Sequence, residues 1–236
     1  MKTLNVKKRS VKFTSILNSV FHKATFDNIP EEKRIKILTV AVAEFANKGF
    51  ENANINTIAK NAEVSVGSLY KYFNTKVELF LTSVDYGVGC LEGILGEVVM
   101  SDEDVMSKLE HLIRKAIAFS REHAVMIRLY NEFTTESNSE LGRELADRME
   151  RITAEAYKEA IIRGQADGEI RSDIDPSMAA FMIDNMLMNI QFAYACDYYS
   201  NRYKIYAGED IFEKDEFAVE NFLRFAKAAL KPDKSF

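Results

Sequence analysis

Cysteine, proline and glycine are scarce in this sequence and tryptophan is absent. The two cysteines, Cys90 and Cys196, stand far apart. They make no disulfide framework and no Cys-x-x-Cys metal spacing, which suits a reducing, cytoplasmic setting. His22, His111 and His123 fall outside any metal-ligand pattern, so neither a metal nor a cofactor is expected. No glycine-rich phosphate loop follows a strand pattern and no nucleophile elbow is present, which argues against an enzyme. No apolar run approaches the roughly 18 residues of a membrane span. Phe13–Phe21 is broken by Thr14, Ser15, Asn18 and Ser19 and makes a poor signal-peptide core. With three prolines and ten glycines in 236 residues, helix formers dominate, and the expectation is an all-α protein.

What is present is unevenly spread. The chain carries a net charge of −5, which alone speaks against nucleic acid. Residues 1–76, however, hold thirteen Lys and Arg against six Asp and Glu, a balance of +7 that leaves −12 for 77–236. A basic head on an acidic body is the asymmetry expected when one end alone meets a polyanion. The division read from this is a basic N-terminal extension over 1–29, a compact basic unit over 30–76 suited to a polyanion, and a larger acidic helical domain over 77–236.

Local signals place the helices. Residues 1–12 read as a basic arm, and Phe13, Ile16, Leu17, Val20 and Phe21 give helical spacing over 13–25. Pro30 suits a first helical position, and Ile35, Leu38, Val42, Phe45 and Ala46 share one face of a helix that runs to about Lys48. Gly49 suits the residue after a helix, where φ turns positive. Asn54 caps a helix over 55–61, Ser65 caps one over 66–73, and Thr75 with Glu78 spells a capping box for a helix that runs to about Met100. Further helices are expected near 103–121, 123–135, 139–167, 176–206 and 213–230.

Within 54–73, Ile58, Ala59, Val64, Leu69 and Phe73 form an inward set, with Leu69 and Phe73 one turn apart on a single face. Val66, Gly67, Ser68, Tyr70, Lys71 and Tyr72 then lie around the other sides. A helix this short docked on its neighbours fits a major groove about 12 Å wide. The segment from Ile35 to Phe80, with the signature I-N-T-I-A-K-N-A-E-V-S-V-G-S-L-Y-K-Y-F-N-T-K-V-E-L-F over 55–80, resembles the DNA-binding domain of the TetR (tetracycline repressor) family. The resemblance covers about a fifth of the chain. It implies that Ser65, Val66, Gly67, Ser68, Tyr70, Lys71 and Tyr72 contact double-stranded operator DNA, and that Asn54 and Lys76 hold phosphates. Tyr70 and Tyr72 also admit a plain reading as packing aromatics. One position departs from the family pattern: Glu63 stands where the turn usually has glycine, at a residue expected to take φ > 0.

The resemblance also implies that the remainder forms a homodimer and encloses an effector pocket, and that a bound ligand releases the protein from a palindromic operator and so regulates transcription, usually by relieving repression. Residues 178–206 and the last helix are rich in Met, Phe and Tyr, so a four-helix dimer interface from 176–206 and 213–230 is the economical reading. Pocket candidates are Phe119, Met126, Tyr130, Phe133, Met182, Asn185, Met186, Asn189 and Phe192, a set suited to a small apolar or aromatic effector. Each reads equally as core or interface. Gly87, Gly89, Gly93 and Gly96 crowd the helix that joins the two units, for close packing, as the fraying end of an ill-formed helix, or as a soft link. The rival readings are a helical ligand-binding or interaction protein without operator binding, and an enzyme.

Overall fold

A computed structural model describes residues 21–99, 101, 103–136 and 140–232; within it, the side chains at 88, 90–97, 99, 132–136, 140–146, 148, 149 and 152 are outside the description. The elements are α1 (Ala24–Asp27), α2 (Glu31–Asn52), α3 (Ile55–Asn61), α4 (Val66–Tyr72), α5 (Lys76–Val99), α6 (Val105–Glu122), α7 (Ala124–Glu136), α8 (Glu140–Ala166), α9 (Pro176–Ala195), α10 (Asp197–Ala207), a 3-10 turn (Ile211–Glu213) and α11 (Asp215–Leu230). Among the described residues the fold is all-α, as expected.

The long α2, the short helices α1, α3 and α4, and the first turns of α5 enclose the first core. α2 buries Ile37, Leu38, Ala41, Val42 and Phe45. Ile35 was expected on that face but is 40% exposed; the buried arc turns the other way, toward Ile37 and Ala41. Pro30 is the cap residue of α2 and not its first helical residue. Gly49 takes φ 69° and kinks the end of α2, as its position suggested. Only Phe21–Lys23 and α1 represent the helix expected over 13–25: the first three residues are not helical, and α1 continues to Asp27. The core extends outside 30–76 on both sides, to Phe26 and to Leu79, Phe80, Leu81 and Val84.

The second core lies between α6, α9 and α11, around Ile113, Leu187, Val219 and Phe222. α9 contacts α6, α7, α8 and α10. The single helix expected over 176–206 is two: Cys196 takes an extended conformation (φ −118°, ψ 129°) and separates α9 from α10. Neither proline nor glycine marks this break, so no local signal announced it. α7 is the bridge between the units. Leu129 is buried in the first core, while Ile127 joins Phe119 and Phe192 in a third.

Glycines differ in what they accommodate. A Cβ on Gly164 of α8 would lie 2.8 Å from Ile170 Cδ1 and 2.9 Å from Val105 Cγ2, so α8 needs hydrogen alone at this crossing. On α5, a Cβ at Gly87 would meet only Met126 Sδ, at 4.0 Å, and one at Gly89 would meet nothing within 4 Å. Close packing therefore does not explain those two; the side chains around Gly93 and Gly96 lie outside the described residues. Gly164→Ala is expected to lower stability by about 1–3 kcal/mol through overpacking. Gly89→Ala should raise it by about 0.5–1 kcal/mol through helix propensity. Thermal denaturation of the two variants checks both signs.

Candidate DNA-binding interface

The site is built on α4, whose seven residues are too few to be stable alone. Leu69 and Phe73, each 2% exposed, anchor it in the first core together with Ile58 and Ala59 of α3. Val64 is partly buried against the same core. Both helix starts are capped as expected. Asn54 Oδ1 accepts from the Asn56 backbone N–H at 2.8 Å. Ser65 Oγ accepts from the Ser68 N–H at 3.0 Å and lies 2.8 Å from Ser68 Oγ. At the start of α5, Thr75 Oγ1 accepts from the Glu78 N–H, but the Glu78 carboxylate returns to the Asn74 N–H, one residue earlier than a standard box.

With Leu69 and Phe73 turned inward, the outer face of α4 is set. Ser65, Gly67, Tyr70 and Lys71 are exposed, Tyr70 at 51%, and Val66 and Ser68 are half-buried at its edge. Tyr72 was expected on this face, and here the structure corrects the expectation. Its side chain is 8% exposed, with the ring centroid 5.6 Å from that of Phe26. The ring is core, because Phe26 arrives from outside the motif to cover it. Lys76 is also drawn inward. Its Nζ donates to the Glu51 carbonyl at 2.9 Å and sits 4.9 Å above the Phe50 ring. Asn54 stays exposed at the start of α3.

Two residues on the far side of α4 were not singled out from the sequence. Lys23 and Thr25 donate to carbonyls at its C-terminal end. Nothing within the motif points to them, since they lie some 46 residues away along the chain. The arm over 1–12 lies outside the described residues.

Glu63 has φ 57°, and no other non-glycine among the described residues has a positive φ. Its exposed carboxylate pairs with Lys36 Nζ at 2.7 Å, and that hydrogen bond and charge hold its pKa below the usual range.

The proposed effector residues do not form one site. Phe119, Met126, Tyr130 and Phe192 gather where α6, α7 and α9 meet, with Met126 and Tyr130 also against the first core. Met186 is partly buried against the second core. Met182 (58% exposed) and Asn189 face outward, with Asn185 on the same stripe of α9. Asn185 and Asn189 bond back to the carbonyls of Phe181 and Asn185. They were expected to face a pocket; the inner stripe is occupied instead by Ile183, Leu187 and Ile190. The side chain of Phe133 is outside the described residues. A cavity of about 110 Å³ opens elsewhere, among Leu109 and Leu112 of α6, Tyr157 and Ile161 of α8, and Ala180 and Ile183 of α9. None of the expected residues lines it. Near it, burial and then the charge of Glu150 raise the Asp184 carboxyl to about 6, and Glu150 in turn accepts a hydrogen bond from the Tyr130 hydroxyl.

Among the described residues no group of His, Cys, Asp and Glu is placed to hold a metal, and no helix is long and apolar enough to cross a membrane.

Residues 37–82 match the profile of a family described as bacterial regulatory proteins, tetR family. The HTH-type transcriptional repressor SCO4008 of Streptomyces coelicolor is 30% identical over 156 residues, covering 65% of this chain and 76% of that protein. The HTH-type transcriptional regulator YerO of Bacillus subtilis is 26% identical over 167 residues, covering 67% of this chain but only 56% of that protein's length. In three dimensions, the transcriptional regulator FadR from Bacillus subtilis, solved in complex with stearoyl-CoA, has a TM-score of 0.63 at 19% identity and covers 80% of this chain and 97% of its own.

Two outcomes follow from the electrostatics. Glu63→Gly removes the left-handed strain of about 1 kcal/mol and loses only an exposed ion pair, so its melting temperature should equal or exceed that of wild type. Asp184 holds its proton more tightly when folded than its ordinary value of 3.8 allows in the unfolded chain. Its ionisation therefore costs stability, absent below about pH 4 and fully present once pH has risen through about 6. Discounted for partial exposure, the cost is about 1 kcal/mol, so Asp184→Asn should melt a few degrees above wild type at neutral pH and equal it near pH 4.

Proposed function

Because the chain belongs to the TetR family of bacterial regulatory proteins, we propose that it is a sequence-specific DNA-binding transcriptional regulator, a repressor that leaves its operator on binding a small molecule. One observation carries the reading. A Cβ on Gly67, exposed at the start of α4, would meet nothing nearer than Ser65 Oγ at 3.8 Å. The protein's own packing thus has no use for glycine there, while glycine forgoes up to about 1 kcal/mol of helix propensity relative to alanine, the full amount in a helix interior and less in its first turn. Close approach of an outside partner accounts for it. That partner is DNA: α4 presents Ser65, Gly67, Ser68, Tyr70 and Lys71 beside one another on the basic unit. Gly67 and Ser68 sit near the N-terminal amides of α4, which favour phosphate. Tyr70 and Lys71 reach furthest out, with Val66 available to a thymine methyl. Asn54 and Lys76 are phosphate contacts, Lys76 after giving up the Glu51 carbonyl. The chain is a regulator and not an enzyme, and it acts in the cytoplasm.

The functional unit is a homodimer. Met178, Phe181 and Met182 form an exposed apolar stripe on α9, and Phe217 and Phe225 another on α11. Two copies joined there match a palindromic operator with half-sites about 34–36 Å apart. The effector is small and apolar or aromatic, because the cavity beside Leu109, Leu112 and Tyr157 is lined mainly by hydrocarbon. A ligand that enlarges this cavity bears on α6, α8 and α9. α7 contacts α9 and α2, and with α5 it carries the displacement to the DNA-binding unit.

Duplexes selected by the protein from a randomised pool, with the DNA flanking its own gene as a second source, test the reading. Gly67→Ala should keep or raise the melting temperature yet weaken operator affinity about tenfold or more. Lys71→Ala should weaken binding and, if it removes one phosphate contact, lower the slope of log affinity against log salt by about 1. Failure of wild type to enrich any duplex would overturn the proposal.

A further inference from the structure

The last four carbonyls of a helix have no partner inside it. In α4 these belong to Leu69, Tyr70, Lys71 and Tyr72, and every one is met. The Phe73 N–H reaches Leu69 O at 2.8 Å. The other three are served by a single segment that precedes α2. Lys23 Nζ donates to Tyr70 O at 2.8 Å, Thr25 Oγ1 to Lys71 O at 2.6 Å, and the Lys23 backbone N–H to Tyr72 O at 2.8 Å. The segment has its own anchor. Phe26, 2% exposed, places its ring 5.6 Å from Tyr72 and 4.9 Å from Phe73. His22 stacks edge-on against Phe26 at 5.1 Å, and its Nε2 lies 2.8 Å from Asp27 Oδ1.

We infer that residues 21–29 form a brace for the recognition helix, in which Lys23 and Thr25 are positioning residues that set the orientation of Tyr70 and Lys71 on DNA. The inference rests on α4 being the DNA-reading helix. The division of labour is physical. Phe26 supplies the buried apolar surface that holds the segment to the core. The two side-chain donors sit at the rim, where solvent competes, and contribute little to global stability. Their effect is local. Without them the carbonyls of Tyr70 and Lys71 turn to water, and the last turn of a two-turn helix frays. That turn carries the two side chains that project furthest. The Lys23 ammonium also lies at the negative end of the helix dipole, which favours it there. Base-edge contacts depend on orientation, whereas attraction to the phosphate backbone does not. The brace therefore governs discrimination between operator and random sequence more than bulk affinity for DNA.

Thr25→Val removes the hydroxyl without changing charge or size, and Thr25→Ser restores it. Full-length wild type and both variants are compared by fluorescence anisotropy on a duplex selected by wild type and on a random-sequence duplex at about 0.15 M salt. Amide hydrogen exchange over 66–73 and thermal melting are read in parallel. Thr25→Val is expected to bind the selected duplex about tenfold more weakly and the random duplex within about twofold of wild type. Exchange should quicken at Lys71–Phe73 with the melting temperature nearly unchanged, and Thr25→Ser should recover the wild-type values. Unchanged operator affinity in Thr25→Val, an equal loss on both duplexes, or a loss that follows a lowered melting temperature overturns the brace. Failure of wild type to select any duplex would instead remove the DNA-binding reading; unaltered exchange in Thr25→Val then overturns the brace separately.

Discussion

A helix of seven residues cannot hold itself together, and the organisation of this protein's basic end follows from what holds α4. Two side chains one turn apart, Leu69 and Phe73, commit one face of α4 to a core shared with α2, α3 and α5. That commitment fixes which residues are left outside. Ser65, Gly67, Tyr70 and Lys71 are exposed because the opposite side is consumed by packing. The ends are settled with similar economy. Ser65 closes the N-terminal end of α4, and Lys23 and Thr25 close the C-terminal end. The candidate interface is thus what packing leaves over, held from beneath by Leu69 and Phe73 and at its ends by Ser65, Lys23 and Thr25.

The same dependence explains how the acidic body can influence the basic head. α5 begins in the first core, with Leu79, Phe80 and Val84, and reaches the second at Val98. α7 places Leu129 in the first core and Ile127 in the third, while Met126 and Tyr130 touch both. Two helices therefore belong to both units at once. A shift of either is felt at α2, against which both are packed. A ligand alters DNA affinity through such an arrangement only by favouring one packing of these helices over another. Met126 and Tyr130, suggested by the sequence as ligand contacts, pack against the first and third cores at once.

The parts of this structure that were legible in the sequence are those governed by local rules. Asn54 and Ser65 cap the helices they were expected to cap, Gly49 turns with positive φ, and Glu63 occupies the left-handed turn despite its side chain. Each of these depends on a few neighbouring residues. Where burial depends on a distant segment, the reading failed. Tyr72 stands three residues after Leu69, beside the inward face, and Phe26, from beyond the motif, closes over it. Met182, Asn185 and Asn189 look like a pocket lining, yet α9 has apolar residues on both sides and the sequence does not say which side faces the core. The break at Cys196 carries no glycine or proline. The cavity is lined from α6, α8 and α9, elements whose juxtaposition no periodicity encodes.

Residues that violate a local preference are informative in proportion to how little the protein itself gains from them. Gly164 interrupts α8, but Ile170 and Val105 leave no room for a Cβ, so packing accounts for it fully. Glu63 is strained, and its exposed pairing with Lys36 offsets only part of a cost of about 1 kcal/mol. Gly67 and Gly89 are different. Both sit in helices, both have space for a methyl group, and neither has the positive φ that would require glycine. No contact among the described residues recovers the helix propensity they forgo. Local rules broken without internal compensation point to an external demand or a second conformation. Gly67 lies exposed on the outer face of α4, where such a demand would come from a closely approaching partner. Gly89 lies in α5, the helix that joins the two cores, where a readily bent segment has value only if the protein adopts more than one arrangement of them.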